Sequence, residues 1–439
     1  VKKFLRAFLF LILLAVAGLL FWKGRFIGGT FLSQPEIRGG IVRVTDEKGD
    51  RLYYLTTQWE KRIFRSGSRS SSSSRTVGWC NTDLWEIDAI TAQPITRRRL
   101  KREQVNGDVV AMGMEQGVMW ARIPELVGIR LSDGQIVANK EKIETANPSL
   151  AGMVPKPPEV GIFLTESMQP LKFTPVEGMV VRLDDARLVR IDPLTLAASE
   201  QKERSRESAD AEERPKRGEK GVTIANGMDW YSMVRDLPMA QKDGRQQWLG
   251  LLAETELEQM KERHQTTHQM DFTTPRRHRL YRAELRKEES FMGARWVYEN
   301  PAVLPESPEF LMGGLLTSES GSTGDTSRMT AMYRRDPDSV FVLSRDRLGE
   351  EGRMQMARIA GPAGNAVWSI ALPISNMSAW IPGEARAILL GPCPSAEKSP
   401  QAEEGENAAQ HVISVDLKTG EMKTFNPDLN RNWKVEGEK

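Results

Sequence analysis

Short apolar runs separated by turn-forming residues fill the chain from about Gly40 to Asn426. The plainest case is His411–Asn426, HVISVDLKTGEMKTFN: an apolar run, Asp416, two further residues, Thr419-Gly420, then a second strand-like run. Runs of this kind predict strands, and the Asp-x-x-Thr-Gly between them predicts a tight hairpin. The reason is local. An Asp carboxylate accepts from backbone N–H groups two or three residues on, and the following Gly takes the φ > 0 position that closes the turn.

The unit recurs. Aligning the apolar residue before each turn gives Ile87, Ile129, Ile191, Ala283, Ile359 and Val415, with turns IDAITAQ, IRLSDGQ, IDPLTLA, AELRKEE, IAGPAGN and VDLKTGE. Asp88/Thr91, Asp192/Thr195 and Asp416/Thr419 share Asp-x-x-Thr; Ala92 and Leu196 stand where the last has Gly420, and the fourth and fifth copies are degenerate. The intervals are 42, 62, 92, 76 and 56 residues. A period near the shortest, lengthened by insertions, fits a four-stranded propeller blade of about 40–50 residues.

The second strand of each unit is expected at Leu52–Thr57, Val118–Arg122, Met179–Leu183, Trp248–Ala253, Val340–Ser344 and Ala387–Gly391. The third is expected at Leu84–Asp88, Leu126–Leu131, Leu188–Asp192, Leu280–Leu285, Met354–Ile359 and Val412–Asp416. The fold class is therefore all-β: a single β-propeller of six four-stranded blades, within a range of five to eight, after one N-terminal transmembrane helix. Insertions at 58–82, 199–220 and 393–410 are polar, charged or Pro/Glu/Ala-rich and read as mobile loops, and 254–278 is a further long loop insertion. They fall mostly between second and third strands or between units. Both connections emerge on one face of a propeller, so that face is the expected site of a protein partner.

Residues 1–22 form a cytoplasmic tip and anchor, 23–39 a linker, 40–426 the propeller and 427–439 a tail. Phe4–Trp22 is apolar apart from Arg6, which can snorkel, and is just long enough to span a bilayer. A cleaved signal peptide is the competing reading, but no small-x-small site follows the run. Lys2, Lys3 and Arg6 outnumber the basic residues just beyond it, which keeps the tip cytoplasmic and exports the body.

The hairpin pattern over Gly40–Asn426 resembles the quinoprotein-type (PQQ-like, YVTN-like) β-propeller repeats of bacterial envelope proteins. The resemblance implies a ring of four-stranded sheets around a channel, at the bacterial inner membrane with a periplasmic body. It does not imply one activity. Quinone-dependent dehydrogenases of that group carry a vicinal cysteine pair, whereas Cys80 and Cys393 are far apart in sequence, so no quinone cofactor is carried over.

Composition narrows the chemistry. The chain has 439 residues with 61 basic and 59 acidic side chains, so no large positive field points to nucleic acid. Three of its 4 histidines, His264, His268 and His278, share one insertion. His264 and His268 are one helical turn apart, with Leu257 and Met260 on the same face, and zinc with His278 or Asp271 as a third ligand is conceivable. The motif HQTTH lacks the Glu of a zincin, and a short amphipathic helix with surface histidines is the simpler reading. Cys80 and Cys393 belong to the first and last units, so a disulfide stapling a closed ring is an expectation. Arg97, Arg98, Arg99, Lys101 and Arg102 lie on an outermost strand; guarding that sheet edge is preferred to contact with anionic lipid or an acidic partner. No serine-hydrolase elbow, phosphate loop, dinucleotide fingerprint or C-x-x-C is present. The expectation is a non-catalytic binding or scaffold module, with a loop-site metal hydrolase or a small-ligand sensor in the channel as alternatives.

Overall fold

The computed structural model describes residues 30–33, 35–68, 71–103, 109–155, 171–174, 177–201, 222–225, 233–234, 236–242, 245–263, 275–290, 293–316, 339–349, 351–381, 383, 385–394 and 410–427. The described chain is all-β, built from four-stranded antiparallel meanders in chain order. After β1 (Thr30–Leu32), the first sheet holds β2 (Glu36–Asp46), β3 (Gly49–Ser68), β4 (Ser71–Asp88) and β5 (Pro94–Glu103). The second holds β6 (Val110–Glu115), β7 (Val118–Ile123), β8 (Glu125–Arg130) and β9 (Gln135–Asn139). The third holds β10 (Leu171–Thr174), β11 (Gly178–Arg182), β12 (Leu188–Ile191) and β13 (Ala198–Gln201).

Two short strands, β14 (Val222–Ala225) and β15 (Met233–Val234), precede the fourth sheet. That sheet holds β16 (Asp236–Lys242), β17 (Arg245–Leu252), β18 (Arg277–Ser290) and β19 (Gly293–Val303). The fifth holds β20 (Phe310–Leu316), β21 (Ser339–Arg345), β22 (Met354–Ala360) and β23 (Asn365–Ala371). β18 also pairs with β20 at Arg277↔Leu311 and His278↔Phe310, so the fourth and fifth meanders, with β15, are joined as one nine-stranded sheet. The sixth holds β24 (Ala379–Ile381), β25 (Arg386–Pro392), β26 (Gln410–Asp416) and β27 (Met422–Phe425). Every second and third strand expected from the sequence lies on, or overlaps, a strand of the corresponding sheet. Helix α1 (Lys140–Ala146) follows the second sheet, and α2 (Glu254–Arg263) lies between β17 and β18.

The hairpin turns form as their side chains dictate. Asp88 Oδ1 accepts from the Ile90 and Thr91 amides at 2.9 and 2.7 Å, and Asp192 Oδ1 from Leu194 and Thr195 at 3.0 and 2.8 Å. Asp416 Oδ1 accepts from Lys418 and Thr419 at 2.9 and 2.8 Å. The residue after each Thr has positive φ: 54° at Ala92, 61° at Leu196 and 77° at Gly420. The first and third units thus hold a side chain in the left-handed region that the sixth leaves to glycine.

Sheets pack face to face because successive side chains alternate across a strand. Tyr54, Trp85 and Ile87 of the first sheet cluster with Ile388, Val412 and Phe425 of the sixth. On the opposite face, Tyr53, Leu55 and Leu84 cluster with Met119 and Ile129 of the second sheet. Further clusters join second to third, fourth to fifth and fifth to sixth. The contacts therefore run in the order third, second, first, sixth, fifth, fourth.

Two expectations are corrected. Residues 58–82 are not a loop: β3 and β4 stay paired from Gln58↔Asn81 out to Ser68↔Ser71. Main-chain hydrogen bonding carries that hairpin where the serine-rich side chains give no apolar alternation. AELRKEE is not a turn but lies within β18, because nothing before Gly293 readily adopts positive φ and the ladder closes only at Ser290↔Gly293. The short helix expected around Leu257 and Met260 is α2, whose first turn is closed by the Glu256 carboxylate accepting from the Ala253 amide at 2.8 Å. Among the described residues no helix is long and apolar enough to cross a membrane, and Phe4–Trp22 lies outside them. Most of 199–220 and 393–410 lies outside them too.

Candidate functional site

The densest buried chemistry sits in the first sheet and its seam with the sixth. Register sets Tyr54 beside Trp85, Thr56 beside Asp83 and Gln58 beside Asn81, with Arg97 and Arg99 next to them on β5. Trp85 and Asp83 are fully buried and Arg97 is 2% exposed. The Arg97 guanidinium donates twice to Asp83 Oδ2, at 2.8 and 2.6 Å, and to Gln58 Oε1 at 3.1 Å. Its carbon lies 5.0 Å from the Trp85 ring centre, and Trp85 donates its indole N–H to Thr56 at 3.0 Å. Arg99 holds the other Asp83 oxygen at 2.5 Å. A carboxylate without water at this depth persists only when cations and hydrogen bonds satisfy both oxygens. The neighbouring Tyr54 hydroxyl is pushed well above its ordinary pKa by burial, against the pull of Arg97.

A second ionic group spans the seam. Arg43 of β2 clamps Asp50 at 2.8 and 2.5 Å and donates to the Arg386 carbonyl at 3.0 Å. Arg386 of β25 donates to the Ser414 hydroxyl at 2.8 Å, and Ser414 donates to the Ala89 carbonyl at 2.5 Å. On the face toward the second sheet, Glu86 bonds Arg51, Tyr53 and Thr96. Burial and the Glu86 charge push the Tyr53 hydroxyl up to about 12. In these groups charged and polar side chains are bonded to one another within and between sheets.

The basic strand is reassigned accordingly. Arg97 and Arg99 are spent on Asp83, Arg102 on Glu60 at 2.8 Å and Lys101 on Glu103 at 2.6 Å and the Ile123 carbonyl. The strand is outermost, as expected, but Arg97 points into the seam because alternation gives it the face of Trp85.

Of the proposed metal ligands, His264, His268 and Asp271 lie outside the described residues. His278 is fully buried at the start of β18, paired in register with Phe310, its Nε2 3.7 Å from a Glu256 oxygen. Arg276 reaches the other oxygen of Glu256 at 3.4 Å. The surface position expected of the histidines is corrected for His278, which is fully buried. Among the described residues no group of three or more potential ligands converges on a metal position.

Both cysteines are buried free thiols, so the expected Cys80–Cys393 bridge is not made. The register supplies the reason. Cys80 shares its strand face with Leu84, which packs on the second sheet, whereas Tyr54 and Trp85 face the sixth. Cys393 lies beside Asn426, whose amide donates to its sulfur at 3.7 Å. Burial raises the Cys80 pKa, with Arg38 opposing.

Sequence reasoning missed Arg43, Arg386 and Ser414. The available signal was a lone polar residue inside an apolar run, as in IVRV and RAILL. No protein-family model matches the chain, and no curated protein matches it.

Proposed function

We propose that the six sheets close into one six-bladed β-propeller of the quinoprotein-like repeat type, held at the bacterial inner membrane by Phe4–Trp22. The tip is cytoplasmic and the body periplasmic. It acts as a non-catalytic binding or scaffold module for an envelope protein. What supports the ring is the packing order third, second, first, sixth, fifth, fourth, which leaves a single pair of sheets to close. What supports a binding rather than a catalytic role is the use of the buried ions: Arg97, Asp83, Arg43 and Arg386 are bonded to structural partners. The binding surface then lies on the face carrying the long second-to-third connections: the β3–β4 hairpin, the α2 segment and residues 393–410.

The test is cross-linking and pull-down of the full chain from its own membranes, with and without residues 255–275, alongside electron-microscopic imaging. A six-lobed ring whose partner is lost with the segment is expected. A non-annular body, or partners indifferent to both the segment and the other long connections, overturns the reading.

A metal-dependent hydrolase at the same insertion is the second reading, favoured by the buried approach of His278 to Glu256. Stoichiometric zinc lost on His264→Ala would support it, and a zinc-free protein would sink it. The third reading, a small ligand in the channel, has less support. The backbone of β14 pairs along β2, Val222↔Val44 to Ala225↔Ile41, and in a propeller β2 is the innermost strand of its blade.

A further inference from the structure

We infer that the outer part of the β3–β4 hairpin rests on the anionic lipid headgroups of the bilayer from which the chain emerges. This rests on the reading of Phe4–Trp22 as a bilayer anchor. Three observations carry it: direction, reach and charge.

Direction comes from register. β1 pairs antiparallel with β3, Thr30 opposite Arg62 and Leu32 opposite Glu60. The ladder between β3 and β4 runs outward from Glu60↔Trp79 to Ser68↔Ser71. The chain therefore enters β1 from the side of the hairpin tip and runs toward the body. Thr30, the first residue of β1, is thus the end of that strand nearer the hairpin tip.

Reach follows from chain geometry. Seven residues lie between Trp22 and Thr30, and the eight Cα steps span at most about 29 Å when fully extended. From Arg62 the hairpin continues through Ser68, about 20 Å at the rise of a strand. An anchor that ends at the headgroups thus holds Thr30 and Arg62 no more than about 29 Å from them, and the hairpin beyond Arg62 spans about 20 Å of that distance.

Charge selects the lipid. The outer strands carry Lys61, Arg62, Arg65 and Arg75, and the single acid between Trp59 and Cys80 is Glu60. That acid is already held by Arg62 and Arg102, at 2.6 and 2.8 Å. Lys61 and Arg62 are exposed, and the Arg62 and Arg102 guanidiniums lie 5.4 and 4.9 Å from the Trp79 ring centre. Serines fill most of the positions between Arg65 and Arg75 and add no negative charge to repel phosphate. Each cation close to an anionic leaflet strengthens association roughly fivefold, over a range of about 10 Å at moderate salt.

The test uses the full chain in lipid nanodiscs, with a fluorophore on Ser71→Cys and, as a distant control, on Lys418→Cys. Buried Cys80 and Cys393 stay unlabelled in the native protein. The quencher is a headgroup-nitroxide lipid, in discs of phosphatidylcholine alone or with phosphatidylglycerol. The expected result is quenching at Ser71→Cys that requires phosphatidylglycerol and falls at high salt. It should also fall several-fold on combined Lys61→Glu, Arg65→Glu and Arg75→Glu; Arg62 is left intact because it pairs with Glu60. Flotation of the unlabelled chain with liposomes after an alkaline wash reads the anchor separately. A chain that fails to float overturns the anchor and this inference together. A chain that floats, with Ser71→Cys quenched no more than Lys418→Cys or equally in neutral discs, overturns the inference alone.

Discussion

The Ser414 hydroxyl donates to the Ala89 carbonyl at 2.5 Å across 325 positions of sequence. Ala89 belongs to the Asp88 turn of the first sheet and Ser414 to the third strand of the sixth, so one bond ties the two ends of the described body. Ser414→Ala removes the donor to Ala89 and the acceptor of Arg386, both fully buried at the serine. The expected loss is about 1–3 kcal/mol, the cost of leaving buried polar groups unsatisfied. Urea denaturation should show a lower midpoint with an unchanged slope. A change under about 0.5 kcal/mol, the usual size of a surface substitution, would remove the seam from the account.

Much of this architecture was legible because its signals are local. Asp88, Asp192 and Asp416 announce turns through bonds to amides two and three residues away, and those bonds form. Ile129, Ile191 and Val415 announce strands through alternation. The serine hairpin was not legible, because a main-chain ladder leaves no mark on side-chain pattern. Nor was β14, which adds to a sheet whose own strands lie far earlier in the chain. Arg97 was misread because strand position alone does not say which face a residue takes; only the register with Trp85 does.

Arg97→Ala should be among the most damaging single changes. It leaves Asp83 fully buried with one guanidinium fewer and strips Trp85 of its stacked cation. Breaking one side of such a pair costs about 3–5 kcal/mol. Arg97→Met with Asp83→Leu, which removes that pair and fills its space, should recover part of it, Arg99 losing Asp83 but being nearer solvent. Thermal melts of the single and double variants make the comparison, and a double variant no more stable than Arg97→Ala would contradict it.

Gly420 separates geometry from sequence pattern. Its φ is +77°, and a β-carbon placed there would lie 2.9 Å from the Trp368 ring. Gly420→Ala should cost about 1–2 kcal/mol for the left-handed backbone alone, and more for the contact with Trp368. Ala92, at φ 54°, already bears the backbone cost in the first sheet. Ala92→Gly should therefore be neutral or stabilising by up to about 1 kcal/mol. Opposite signs in chemical denaturation are the expected result; equal losses would refute the turn geometry.

The Asp192 turn gives a pH dependence of definite sign. Hydrogen bonds from the Thr195 amide and hydroxyl favour the carboxylate and hold its pKa below the ordinary value, with burial opposing. A lowered folded-state pKa means that stability is fully present above the unfolded value, about 3.9, and is lost as pH falls through the folded one. Asp192→Asn cannot take part in that proton uptake. The stability gap between wild type and variant should therefore be largest near neutrality and shrink below about pH 4. A gap that widens on acidification would contradict the assignment.

The thiols offer the last and simplest check. Cys80 and Cys393 are 5% and 2% exposed, and Cys80 is turned toward the second sheet while its sheet meets the sixth on the other face. Burial raises the Cys80 pKa, which lowers the thiolate fraction on which alkylation depends. Iodoacetamide should therefore modify neither residue appreciably in the native protein. Both should react fully in guanidinium without reductant, and reductant should leave the melting temperature unchanged. If the denatured protein takes up label only after reduction, the two sulfurs are joined, and Cys80 would have to lie on the Trp85 face of β4. That would shift the β3–β4 register by one residue and displace Asp83 from Arg97, so a single mass measurement tests the register, the buried ion pair and the seam together.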